Sequence, residues 1–152
     1  MKKKINGIWL FGYSGTGKTF ASKLIKKKIK NCILIDGDDV RKYISNDLTY
    51  VKKDRIIQTK RILGFAKICI KQKFFPVIST SFLSKKISNL AKKNNIKILE
   101  ITRNKSELFK KVKNQRNVVG IDIFYEKFSR KKILNDNKFR NKINKFLDVL
   151  NI

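Results

Sequence analysis

Five short apolar runs punctuate the chain: Ile5 to Phe11, Cys32 to Ile35, Phe75 to Ser79, Ile96 to Ile101, and a weaker one at Ile133-Leu134. None shows clean apolar–polar alternation, so they predict strands of a sheet covered on both faces, as parallel sheets are. Between them lie helical segments near 18–30, 38–45, 53–72, 84–94, 105–115 and 138–150. From Asp54 to Lys71 the apolar residues Ile57, Ile62, Leu63, Phe65, Ala66, Cys69 and Ile70 recur at a helical period. Strands and helices alternate, which predicts an α/β fold of three layers, α/β/α, around a mostly parallel five-stranded sheet. Pro76 falls near a strand start, where its missing N–H is tolerated. No repeat or Pro/Gly-rich linker interrupts the pattern, and 152 residues fit one domain, 1–152, with a proper core.

The junction between the first strand and the first helix carries Gly12-Tyr13-Ser14-Gly15-Thr16-Gly17-Lys18-Thr19. This is the G-x-x-x-x-G-K-[ST] phosphate-binding pattern. Ile8-Trp9-Leu10-Phe11 precedes it as a buried strand, and Phe20 to Ile25 follows as the opening of a helix. Gly12, Ser14, Gly15, Thr16 and Gly17 are expected to turn backbone N–H groups toward a phosphate at the positive end of that helix. Lys18 is placed to reach the β- and γ-phosphates, and Thr19 to ligate Mg²⁺. A Gly-rich turn with a chance Lys-Thr is the plain alternative, and the strand–loop–helix context argues against it. The expectation is a P-loop NTPase fold that binds ATP or GTP.

Charge changes this picture little. The net charge is +27, but 31 of the 38 basic residues are Lys and seven are Arg. Ile (22) and Asn (14) are also abundant, the signature of AT-rich codons. The Lys residues spread over every helix instead of forming one stripe, so a specific nucleic-acid partner is not expected, although anionic nucleotides should be attracted. No run approaches the about 20 apolar residues of a membrane span. Met1 to Lys4 has the charge of a signal-peptide start, but the short run after it leads straight into the phosphate loop and reads as strand. The expected location is the cytoplasm. Cys32 and Cys69 fall in a strand and a helix with apolar neighbours, which favours buried thiols over a disulfide or a metal site.

The second strand leads into Asp36-Gly37-Asp38-Asp39-Val40-Arg41. Ligands of open α/β sheets bind beyond the carboxyl ends of strands, so Asp36 and Asp38 should face the crevice of the phosphate loop. A carboxylate there can orient a substrate hydroxyl or hold Mg²⁺ through water. Helix N-capping by Asp38 or Asp39 is the competing reading. The chain has no histidine, which argues against a Ser-His-Asp hydrolase or a histidine-ligated metal enzyme. Phosphoryl transfer, which works mainly by positioning and charge neutralisation, suits that composition.

Five segments in order now carry a resemblance to the adenylylsulfate kinases, which phosphorylate the 3′-hydroxyl of adenosine 5′-phosphosulfate. They are Trp9 to Thr19, Asp36 to Arg41, Leu48-Thr49-Tyr50 with Asp54-Arg55, Ser81-Phe82-Leu83-Ser84, and Val119-Gly120-Ile121-Asp122. The resemblance implies that Lys18 and Asp38 are catalytic, Asp38 assisting both the attacking hydroxyl and the Mg²⁺. It implies that Arg41 and Arg55 bind the acceptor's phosphate and sulfate-like groups, a task suited to the bidentate guanidinium. It places Tyr50 against the acceptor base, Gln58 where the family has Asn, and Ser81, Phe82 and Leu83 around the acceptor, with Asp36, Ile121 and Asp122 also on the acceptor side. Helix-surface charge for the Arg pair, ordinary packing for Tyr50, and capping of the next helix by Ser81 or Ser84 remain open. Family members are often dimers, so the resemblance allows a homodimer.

Two departures stand out. The family's R-D-x-K-G-L-Y lid stretch has no counterpart between Leu108 and Val119, and the segment is shorter. Val118 stands where the family has a second stacking Phe, and one base–aromatic stack is worth about 1–3 kcal/mol. A trimmed lid, a different acceptor or a weakened enzyme would each account for this. Cytidine diphosphoramidate kinases of capsule-making bacteria, which also act on a nucleotide 3′-hydroxyl, are a compatible resemblance. A basic nucleic-acid-binding protein on an old nucleotide fold is the rival from another class.

Overall fold

A computed structural model describes residues 4–109 and 115–152. The order is β1 (Gly7–Phe11), α1 (Lys18–Lys28), β2 (Cys32–Asp36), α2 (Gly37–Tyr43), α3 (Lys52–Lys71), β3 (Phe75–Thr80), α4 (Lys85–Lys93), β4 (Ile96–Thr102), α5 (Lys105–Phe109), β5 (Lys131–Leu134) and α6 (Phe139–Val149). The five strands form one sheet in the order β2-β3-β1-β4-β5, and every pairing is parallel. The expected helix over 105–115 is described only as α5; residues 110–114 lie outside the described residues.

Alternation along β1 builds the layers. Ile8 and Leu10 point into one core with Ala21 and Ile25 of α1 and Ile143, Phe146 and Leu147 of α6. Trp9 and Phe11 point into the opposite core with Ile62, Leu63, Ala66 and Cys69 of α3 and Ile87 and Ala91 of α4. Burying each Ile, Leu or Phe side chain among them contributes about 1.5–3 kcal/mol. The one polar atom that β1 sends inward is satisfied: Trp9 Nε1 donates to Thr80 Oγ1 at 2.9 Å, and that hydroxyl donates to the Phe82 carbonyl at 2.8 Å. Phe65 departs from the expected buried stripe of α3 and is exposed, because one face of a 20-residue helix remains in water.

All strands end at the same sheet edge, since all are parallel. The loop after β1, the start of α2, the loop after β3 and the loop after β4 therefore converge there, on either side of the central strand. No helix among the described residues is long and apolar enough to cross a membrane.

Candidate active site

The phosphate loop is held by its own backbone. Gly17, the N-cap of α1, has φ 99°, a left-handed conformation that favours glycine, and a side chain there would collide with Asn135. Thr16 is fully buried: its N–H and Oγ1 both donate to the Tyr13 carbonyl, at 3.3 and 3.0 Å, and its own carbonyl accepts from Asn135 Nδ2 at 2.8 Å. Lys18 Nζ folds back onto the Gly12 and Tyr13 carbonyls, each at 2.8 Å. Burial lowers its pKa to about 8, against an opposing pull from Asp38 and Asp36. With only neutral carbonyls to hold it, the ammonium is poised for an anion.

Asp36 caps α2: its Oδ1 accepts the Asp38 N–H at 2.9 Å, so the cap is Asp36 and not Asp38 or Asp39. Burial first, and the neighbouring carboxylates second, raise the Asp36 pKa, while the Asp38 N–H lowers it. Capping frees the Asp38 side chain, which is exposed and lines the cavity. Its charge acts on Lys18 and also on Arg41 and Arg55, which line the same cavity.

Arg41 Nη1 donates to the carbonyls of Leu48 (3.3 Å) and Thr49 (2.7 Å). Asp54 keeps that turn in shape by accepting the Thr49 N–H and Oγ1 at 2.7 and 2.6 Å. Arg55 spreads over three segments, with Nε on the Tyr50 carbonyl (2.9 Å), Nη1 on Ser81 Oγ (3.1 Å) and Nη2 on the Asn117 carbonyl (3.0 Å). Neither guanidinium has a carboxylate partner among the described residues. Burial pulls both pKa values down, and Arg41 adds repulsion on Arg55. Both lie against the ring of Tyr50, with centroid distances of 4.6 and 5.4 Å. Tyr50 itself is 55% exposed. Gln58 is buried in the wall; its Nε2 donates to the Gly37 carbonyl at 2.6 Å, and its Oε1 has no partner among the described residues.

These groups share one cavity of about 670 Å³. Ser14, Gly15, Gly17, Lys18 and Thr19 line it from the loop, and Asp36, Asp38, Arg41, Tyr50, Arg55 and Gln58 from α2, α3 and their connection. Ser81 and Phe82 line it after β3. Five of the sequence-expected residues are not on the wall. Gly12 and Thr16 serve the loop's internal bonds. Leu83, in the connection between β3 and α4, is fully buried in the core beside α3 and α4. Ile121 is 41% exposed outside the cavity, and Asp122 turns its carboxylate back to accept the Val118 N–H at 2.8 Å. Ser84 caps α4 by accepting the Ile87 N–H at 3.3 Å.

Val118, which stands where the family has a second stacking Phe, and Val119 also line the cavity, beside walls that the sequence reading did not assign: Gln115, Arg116 and Asn117. Asn117 acts through its carbonyl, which leaves no trace in residue type. Arg116 did leave a signal: in a chain that uses Lys for most positive charge, three of only seven Arg residues, Arg41, Arg55 and Arg116, line this cavity.

A phosphate loop, a carboxylate beyond β2 and two guanidinium groups in one crevice of a parallel sheet define a P-loop kinase. The adenylylsulphate kinase family model matches residues 4–135. The chain belongs to the adenylylsulphate kinase family and is an ATP-dependent nucleotide kinase. It is 28% identical to a cytidine diphosphoramidate kinase of Campylobacter jejuni, over 99% of this chain and 96% of that one. It is 26% identical to an adenylyl-sulfate kinase of Clostridium kluyveri, over 99% and 88%. Its fold matches that of the Mycobacterium tuberculosis APS kinase CysC in complex with AMPPNP and APS at TM-score 0.77, 17% identity and 98% and 99% coverage.

Proposed function

We propose that this chain transfers the γ-phosphoryl group of ATP to the 3′-hydroxyl of a small nucleotide, with adenosine 5′-phosphosulfate named first as acceptor. The observation that carries the reading is that Asp38 lines the same cavity as the phosphate-loop Lys18 and as Arg41 and Arg55, two guanidinium groups with no carboxylate partner among the described residues. A nucleotide with a two-centre anionic tail supplies the charge that Arg41 and Arg55 lack, and the donor phosphates supply what Lys18 lacks. In this reading the product is 3′-phosphoadenosine 5′-phosphosulfate, and the reaction belongs to sulfate assimilation in the cytoplasm.

The Lys18 ammonium leaves the Gly12 and Tyr13 carbonyls for the β- and γ-phosphate oxygens, a stronger, charge-assisted partner. Asp38 accepts a hydrogen bond from the attacking hydroxyl and fixes its line of approach. Arg41 and Arg55 hold the acceptor tail, and the exposed ring of Tyr50 offers its base a stacking surface. The Thr19 hydroxyl and the Asp38 carboxylate fit Mg²⁺, which takes few protein ligands beside water and phosphate oxygens. When bound, Mg²⁺ neutralises developing charge on the phosphates.

A second reading, cytidine diphosphoramidate as acceptor in capsule biosynthesis, is favoured by the near full-length likeness to the C. jejuni enzyme and by Val118 on the cavity wall. The test is to incubate the chain with ATP, Mg²⁺ and each acceptor in turn, and to locate the new phosphate by ³¹P NMR. A 3′-phosphate on one of the two supports the proposal and names the acceptor. ATP consumption that leaves both unmodified contradicts it.

A further inference from the structure

Tyr13 belongs to two regions at once. Its carbonyl is the hub of the phosphate loop, accepting Thr16 N–H at 3.3 Å, Thr16 Oγ1 at 3.0 Å and Lys18 Nζ at 2.8 Å. Its ring points away from the loop. It stacks on Tyr125, with centroids 5.2 Å apart and planes 17° from parallel. On Gly120 the fit is close: a Cβ there would lie 2.7 Å from two ring carbons, and the φ of 99° also favours glycine.

The contacts with Gly120 and Tyr125 each lead to Arg55. Gly120 sits in a turn closed by its own N–H on the Ile123 carbonyl (2.7 Å) and by Asp122 on the Val118 N–H (2.8 Å). That turn begins beside Asn117, whose carbonyl accepts Arg55 Nη2 at 3.0 Å. Tyr125, largely buried, donates its hydroxyl to the Ser81 carbonyl at 2.8 Å, and Ser81 Oγ accepts Arg55 Nη1 at 3.1 Å.

We propose that Tyr13 is a positioning residue that transmits the filling of the phosphate loop to Arg55, through the Gly120 turn and the Tyr125–Ser81 bond. The inference rests on the reading of Arg55 as an acceptor-binding group. A phosphate that draws Lys18 away removes one donor from the Tyr13 carbonyl, so the peptide readjusts. The ring is packed against Gly120 and Tyr125, so a movement of the peptide bears on both. Donor binding thus prepares the acceptor end.

The test uses the full chain with Tyr13→Phe and Tyr13→Ala. Three quantities are read: the Kd of Mg²⁺–AMPPNP by calorimetry, hydrogen exchange of residues 117–123 with and without AMPPNP, and KM for adenosine 5′-phosphosulfate and cytidine diphosphoramidate. AMPPNP is expected to slow exchange of the turn in the wild type and in Tyr13→Phe, but not in Tyr13→Ala. Acceptor KM should rise about tenfold in Tyr13→Ala, within the usual range for coupled sites, with the AMPPNP Kd changed less than about threefold. A turn that still responds in Tyr13→Ala, or equal losses of donor and acceptor affinity, overturns the proposal. If Tyr13→Ala fails to fold, Tyr125→Phe keeps the stack and cuts only the Ser81 bond; a rise in acceptor KM supports the proposal and no rise overturns it. The exchange readout needs no acceptor, so failure of both acceptors would strike the proposed function and leave the coupling to be judged by exchange.

Discussion

The two halves of the cavity are built on opposite principles. The donor half is a single stretch, Gly12 to Thr19, whose shape comes from backbone hydrogen bonds and glycine, with its one cation parked on its own carbonyls. The acceptor half is assembled from four separate stretches, around Asp38–Arg41, Leu48–Gln58, Ser79–Phe82 and Gln115–Val119, and it works through long side chains. Arg55 alone bonds to Tyr50, Ser81 and Asn117. A loop made of backbone tolerates change in the residues around it. A pocket made of side chains from distant segments changes with any of them, and that is where a family adapts to a new acceptor.

This contrast can be broken by substitution. The largest effect is expected for Lys18→Ala, which should lower kcat about 10²–10³-fold while the far-UV circular dichroism stays that of the wild type. A variant that keeps normal turnover would remove the donor half from the account. Arg55→Ala comes next. Loss of charge-assisted bonds should raise acceptor KM roughly ten- to a hundredfold, with a smaller change in KM for ATP. Tyr50→Ala should raise acceptor KM about tenfold, and Tyr50→Phe should restore it, because a stack needs the ring and not the hydroxyl. If Phe and Ala behave alike, Tyr50 is ordinary packing.

The smallest effect is in pH. Burial lowers Lys18 to about 8 in the free protein, so below that pH it carries its proton in both free and bound forms. Bound phosphate favours the charged form and raises the pKa again. Above pH 8, binding must therefore take up a proton, and the Kd for AMPPNP should rise by up to about tenfold per pH unit. A Kd flat from pH 7 to 9.5 would show that Lys18 is not titrating there.

The same contrast explains what could be read in the sequence. The layers, the five strands and the phosphate loop are coded locally, by apolar runs and by a contiguous motif, and the structure has them with shifts of one or two residues at most ends. β5 is the weak case: of its four residues only Ile133 is buried, and Lys131 and Lys132 face water on the edge strand, so little apolar signal marks it. In the acceptor half, Asp36 and Asp38 are legible from their place beyond β2, and the rest only through resemblance. Asp122 and Leu83 belong to recognisable segments, but one bonds back to the Val118 N–H and the other packs in the core. No local pattern distinguishes a residue that holds a wall in place from one that forms it. Asn117 contributes a carbonyl, which any residue type has. Arg116 was readable in hindsight from the rarity of Arg in a Lys-rich chain.

The central claim is that one cavity holds a donor half and an acceptor half that can be damaged separately. Calorimetric titration of Mg²⁺–AMPPNP into the wild type, Lys18→Ala and Arg55→Ala tests it most directly. The account predicts that Lys18→Ala loses most of the nucleotide affinity, while Arg55→Ala binds within about threefold of the wild type and fails only on the acceptor. Equal loss of AMPPNP binding in both variants would contradict it, because Arg55 would then belong to the donor site.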